Sequence, residues 1–483
     1  MTFSTLTFIA FQIILLLILA ITRNETARRI EILLFSVAFY GIWDYRFLII
    51  LFVAVLISFV GGKLLYRHNQ EGGKFAKVIL AVSIVALLTI LFFFKYFNFF
   101  VSSFCLLFGI ENVRGLNIVL PIGISFYIFS AIGYLIDVYR DDVEDEVSFF
   151  VVAYYILFFP KILQGPLLKF NDFYVQLKEQ HPIKAENIKQ GVQIFLFGLI
   201  KKVVIADRLG LFVDAVYSIP QVFDAPTLIL VIIAYPIQLY CDFSGYSDMA
   251  IGVAKTMGYD LCPNFNLPYM SKSVSEYWRR WHMSLNVWFR DYLFYSIIRS
   301  KWIGKIRKKA KRKSKVLSRI LPTAIGMAIV WPLIGVWHGA SFNYIIHGTM
   351  YGVMMIVGLI ITENKWMLPS NRVTNLIRVL RTSFITVFAQ IIFRAVDVKT
   401  VGDILFRIFT WQNGIHYIYT WALVLIPIVI VAYIITYHKN KGNSFYIIMD
   451  LDKFRYKIVF SIVLFLTIIL MYVGENYFMY FQY

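Results

Sequence analysis

Glu276-Tyr277-Trp278-Arg279-Arg280-Trp281-His282-Met283-Ser284-Leu285-Asn286-Val287-Trp288-Phe289-Arg290-Asp291-Tyr292 sets three arginines, a histidine and three tryptophans among apolar runs of membrane length. Ionisable groups in such surroundings are costly to keep and mark function more often than filling. A second island follows at Val336-Trp337-His338-Gly339-Ala340-Ser341-Phe342-Asn343. Each island places a histidine beside tryptophan.

The surrounding 483 residues are 59% hydrophobic and 16% charged, with a mean hydropathy of +0.70. Soluble domains carry about a quarter charged residues. Several apolar runs reach the ~20 residues that cross a bilayer core as a helix. The fold class is therefore an all-α polytopic integral membrane protein. Roughly ten to thirteen membrane helices are expected, the shorter ones broken or re-entrant and covered by protein or a water-filled cavity. The first run, Leu6 to Ile21, has no charged residue before it and no small-residue cleavage site after it, and so reads as a retained helix.

The net charge of +19 does not indicate nucleic-acid binding, because its distribution is that of a membrane protein. Residues 299–319 hold eleven Lys or Arg and no acidic residue. In a short loop this marks the cytoplasmic side and suits anionic headgroups of the membrane lipids. Arg23, Arg28, Arg29, Lys63, Arg67, Lys74, Lys77, Lys201, Lys202, Lys439, Lys441, Lys453 and Lys457 are assigned to the same side. That choice puts the N-terminus outside, and the last run then leaves the C-terminus outside. Cys105, Cys241 and Cys262 are scattered, so neither a disulfide framework nor a metal site is indicated.

Taken as one helix, residues 276–292 carry Trp278, Trp281, Leu285 and Trp288 along one arc. Arg279, His282, Asn286 and Arg290 lie along a neighbouring arc. The ordinary alternative is an interfacial helix anchored by tryptophan, with arginines on headgroups. Central placement of His282, and Asp291 beside Arg290, favour a reaction site or tunnel wall instead. His338 lies nineteen residues beyond the basic segment, and Pro332 and Gly335 are expected to interrupt the helix that leads to it. On a continuous helix His347, nine residues further, would face the opposite side and is read as structural. A lone histidine near an apolar run is commonly a satisfied core residue. The pairing of islands shifts the balance toward catalysis, because imidazole titrates near neutrality and serves as a general base. A thioester donor would need only such a base and a shielded channel.

The two islands resemble the signature regions of the membrane-bound O-acyltransferase family, and within it the bacterial alginate O-acetyltransferase branch. Leu120-Pro121-Ile122-Gly123-Ile124-Ser125-Phe126-Tyr127, Tyr134-Leu135-Ile136-Asp137-Val138-Tyr139-Arg140 and Phe159-Pro160-Lys161-Ile162-Leu163-Gln164-Gly165-Pro166 look like that branch. So do Phe197-Gly198-Leu199-Ile200-Lys201-Lys202-Val203-Val204-Ile205-Ala206-Asp207-Arg208, the segment Tyr240 to Gly252, and Ile392-Phe393-Arg394-Ala395. The segment after Tyr292 departs from the alginate pattern and is closer to the membrane protein that transfers D-alanine to teichoic acid.

The resemblance implies helices ringed around a tunnel, and membrane helices at 1–110, an acyltransferase core at 111–400 and further membrane helices at 401–483. It implies His338 as catalytic, assisted by His282. Trp278, Arg279, Trp281, Asn286, Arg290, Asp291, Trp337 and Asn343 would line the substrate path. No bound cofactor or metal is implied. The acyl donor would be a cytoplasmic thioester, either acetyl coenzyme A or an acyl carrier protein. The acceptor would be a cell-surface or exopolysaccharide hydroxyl, reached through an extracytoplasmic partner protein in the cell membrane. D-alanyl transfer is the alternative within the family. A transporter or flippase without catalysis is the alternative outside it, and a scaffold docking a soluble partner on the basic segment is a third.

Overall fold

A computed structural model describes residues 1–70, 75–110, 115–440 and 449–470. Lys74 and Lys441 from the orientation argument, and the C-terminal end from residue 471, lie outside the described residues. Apart from one bridge pairing Phe223 with Ile415, every regular element among the described residues is helical. The described residues within Met1–Leu199, Gly245–Pro263 and Ile448–Leu466 pack as one unit. Those within Ile200–Ser244, Asn264–Ile447 and Thr467–Tyr483 pack as another.

Seven helical stretches among the described residues are long and apolar enough to cross a membrane, and Leu6–Ile21 and Ile124–Tyr139 are shorter apolar helices. The chain is an all-α, multi-pass membrane protein. In the first unit the 45-residue stretch Glu25–Asn69 would measure roughly 68 Å as one rod, about twice a hydrocarbon core. It is instead two helices, Glu25–Asp44 and Leu48–Gln70. Asp44 turns extended between them, accepting from the Arg46 backbone N–H and pairing with its guanidinium at 2.6 Å. The apolar stretch from Phe149 likewise splits into Phe149–Leu157 and the short Phe159–Ile162. Pro160 supplies the reason, since it lacks an N–H and restricts the residue before it. Breaks like these reduce the number of full-length crossings below the number of apolar runs.

In the second unit the basic segment is not a loop. Ser300 caps a helix, Lys301–Lys313, and Ser314 caps the next, Lys315–His338. Ile303 and Ala310 are buried on one side, with Ile306 at the intervening helical position. Lys301, Lys305, Lys308 and Arg312 are exposed on the other. The i, i+3, i+7 apolar spacing was sufficient to predict this helix, but the density of charge masked it.

Candidate active site

Lys315–His338 is 24 residues long, about 36 Å of helix. Pro322, Pro332 and Gly335 all lie inside it, so the expected interruption at Pro332 and Gly335 does not occur. The helix ends at His338, where Gly339 is fully extended and Ser341 caps the following helix, Phe342–Glu363, through the Asn343 N–H. The two helices pack closely. A Cβ on Gly335 would collide with the Tyr344 carbonyl, and one on Gly348 with the Trp331 carbonyl. Small residues at a helix contact permit that approach of backbones.

This turn overturns the expectation for His347. The opposite-face argument assumed one continuous helix, whereas the chain reverses at Gly339. His347 returns to His338, with ring centroids 6.2 Å apart and planes at 87°.

The first island is also broken. Val274–Arg280 and Met283–Trp288 are separate helices. Trp281 between them is extended, and His282 is left-handed at φ 44°, ψ 53°. Such a conformation is uncommon for a residue with a side chain and persists only where its surroundings impose it. Asn264 imposes it here. Its carbonyl accepts from the Met283 N–H at 2.9 Å. Its Oδ1 accepts from the Ser284 N–H at 3.1 Å and the Ser284 hydroxyl at 2.7 Å.

The same Oδ1 lies 3.3 Å from His282 Nδ1. Because the Ser284 backbone can only donate, this atom is an acceptor. The His282 proton is therefore on Nδ1, and Nε2 carries the lone pair. Burial by desolvation holds the His282 imidazole well below its ordinary pKa, which keeps the ring neutral.

The break disperses the polar arc expected of one helix. Arg279 and Arg290 are exposed, and Arg290 pairs with Asp291 at 2.7 Å. The Asn286 amide donates to the Trp281 and His282 carbonyls, closing the turn. These four residues stand outside the cavity described next. Phe243 meets the His282 ring edge-on at 4.6 Å. Its neighbour Asp242 is anchored by buried Lys202, whose Nζ lies 2.7 Å from both Asp242 and Asp207.

Trp337 joins the islands. Its ring lies 6.0 Å from that of His282 and 4.6 Å from that of His338. Beyond it a cavity is lined by Leu239, Tyr277, Trp278, Trp281, His338, His347, Tyr351, Gln390 and Phe393. Tyr277 stacks between Trp281 and Tyr351, at 5.7 and 6.2 Å. Trp278 meets Tyr351 edge-on at 4.9 Å. Phe393 rests 5.0 Å from both His338 and His347.

The Gln390 amide donates to Tyr269 Oη, which donates to the Pro236 carbonyl. Asn343 is buried nearby, its amide donating 2.8 Å to the Ala395 carbonyl and tying two helix ends together. Among the described residues, none that lines the cavity is acidic, Lys or Arg. The cavity suits a small uncharged group oriented by a few polar atoms.

Of the residues expected at the site, Trp278, Trp281 and His338 line the cavity, and Trp337 brings His282 behind it. Tyr277, Tyr351, Gln390, Phe393 and Leu239 were not foreseen. Three signals were available. Tyr277 lies in the first island and Phe393 in a motif already singled out, and Tyr351 is one turn beyond His347.

A family model, MBOAT, membrane-bound O-acyltransferase family, matches residues 139–396, which include every cavity-lining residue. "Probable alginate O-acetylase AlgI" of Pseudomonas aeruginosa is 34% identical over 85% of this chain and 76% of its own length. "Peptidoglycan O-acetyltransferase" of Helicobacter pylori is 28% identical over 70% of this chain and 66% of its own. "Teichoic acid D-alanyltransferase" of Bacillus subtilis is 30% identical over 57% and 69%.

Proposed function

This chain belongs to the membrane-bound O-acyltransferase family, in its alginate O-acetylase branch, and on that premise we propose that it acetylates a hydroxyl of a cell-surface or exopolysaccharide. The donor is a cytoplasmic thioester, acetyl coenzyme A or an acetylated carrier protein. The acetyl group passes across the membrane, and an extracytoplasmic partner protein completes delivery.

One observation carries the reading: His338 ends a membrane-length helix and opens onto an uncharged cavity walled by buried aromatic side chains. The His338 imidazole accepts the proton as a hydroxyl oxygen bonds to the acyl carbonyl carbon. When the C–S bond breaks, the proton passes to the sulfur and a thiol leaves. His282 stands behind Trp337 and fixes that ring against His338. With the basic helix Lys301–Lys313 read as cytoplasmic, His338 lies at the far end of ~36 Å of helix, which favours an outward acceptor. The absence of any acidic lining residue favours acetyl over D-alanyl, whose ammonium would need a counter-charge.

The test compares base-labile esters on surface polysaccharide in strains with and without this chain. Acetyl esters that disappear on deletion and return with the gene support the proposal. D-alanyl esters following that pattern instead would replace acetyl by D-alanyl. Unchanged ester content, with counterflow of an intact solute, would point to a transporter.

A further inference from the structure

His347 is absent from the roles assigned above, yet it lines the same cavity as His338. It is buried, and its Nδ1 has no hydrogen-bond partner among the described residues. A buried polar atom left in this way normally costs stability, so its persistence calls for an explanation. Its ring neighbours are Tyr351, Phe393 and His338, at 5.0, 5.0 and 6.2 Å. The separation from His338 is too large for a direct hydrogen bond, and small enough for the two rings to flank one small group. Phe393 packs against both rings.

We propose that His347 is a second catalytic residue, whose imidazole N–H donates a hydrogen bond to the acyl carbonyl oxygen while His338 handles the proton. The inference rests on the acyl-transfer reading of this cavity. Bond formation between the acceptor oxygen and the carbonyl carbon pushes an electron pair onto the carbonyl oxygen. The hydroxyl proton moves to His338. His347 keeps its own proton and stabilises the oxyanion. Collapse of the intermediate then breaks the C–S bond, and His338 returns the proton to the departing sulfur. Ester and thiol are the products. An imidazole N–H suits this role, as a fixed donor aimed at developing charge needs no reorganisation.

The experiment measures thiol release from acetyl coenzyme A by membrane vesicles of a strain whose only copy carries each variant, normalised to protein in the membrane. Loss of one oxyanion donor reduces kcat by ~10²–10³. His347→Phe should fall by that factor with KM within about threefold, because the contact is made in the transition state. His347→Gln, which retains an N–H donor, should recover activity to within about tenfold of wild type.

An active His347→Phe beside an inactive His338→Ala overturns the role of His347 and leaves the reading of the cavity intact. An active His338→Ala removes the reading itself. If His347→Gln is present at wild-type level and is as inactive as His347→Phe, the hydrogen-bond-donor role is overturned.

Discussion

The two islands place their histidines by opposite means. His282 sits on a left-handed residue fixed by side-chain and backbone acceptors of Asn264. His338 is placed by its helix. It ends a 24-residue helix whose direction is set by glycine contacts with the helix that follows. One residue is held by a local polar network, the other by packing of whole membrane helices. The contrast teaches which substitutions act on which arm of the site, because a network fails bond by bond whereas a packed pair must shift as a body.

Gly348→Val tests the packed arm and should have the larger effect. Its side chain meets backbone rather than a flexible side chain, so overpacking should cost about 1–3 kcal/mol or more. The measured melting temperature in detergent should fall, and activity with it, since both His338 and His347 move. A variant as stable as wild type would show that the hairpin is looser than described.

Asn264→Ala tests the network arm. It leaves the Ser284 N–H and hydroxyl without their acceptor in a buried place, at a cost of about 1–3 kcal/mol. Activity should drop less than for the His338 variants, because His338 keeps its own support. Equal losses from both arms would erase the distinction between them.

Arg279→Ala and Arg290→Ala should have the smallest effect. Both side chains are exposed, and an exposed ion pair such as Arg290–Asp291 contributes roughly 0–1 kcal/mol. Activity within about twofold of wild type is expected. A large loss in either would place a substrate path along the surface of the first island rather than in the aromatic cavity.

These outcomes also mark where the sequence was readable. Membrane helices follow from apolar length, so the all-α multi-pass fold was accessible from Leu6 onward. His338 drew attention because it stands beside a tryptophan in an island among apolar runs, and it lines the cavity. The arc containing Arg279 and Arg290 was misplaced because helix periodicity assumes continuity, and the break at Trp281–His282 is imposed by Asn264, a residue distant in sequence. His347 was set aside for the same reason, as a reversal at Gly339 cannot be read from spacing alone. Leu239 and Gln390 reach the cavity only through tertiary packing, which no local pattern encodes.

The most direct measurement is thiol release from acetyl coenzyme A by vesicles bearing His338→Ala, with membrane content checked against wild type. General-base catalysis contributes roughly 10²–10⁴-fold, so release should fall by at least a hundredfold at unchanged protein level. Release at the wild-type rate would contradict the assignment of this cavity as the site of acyl transfer.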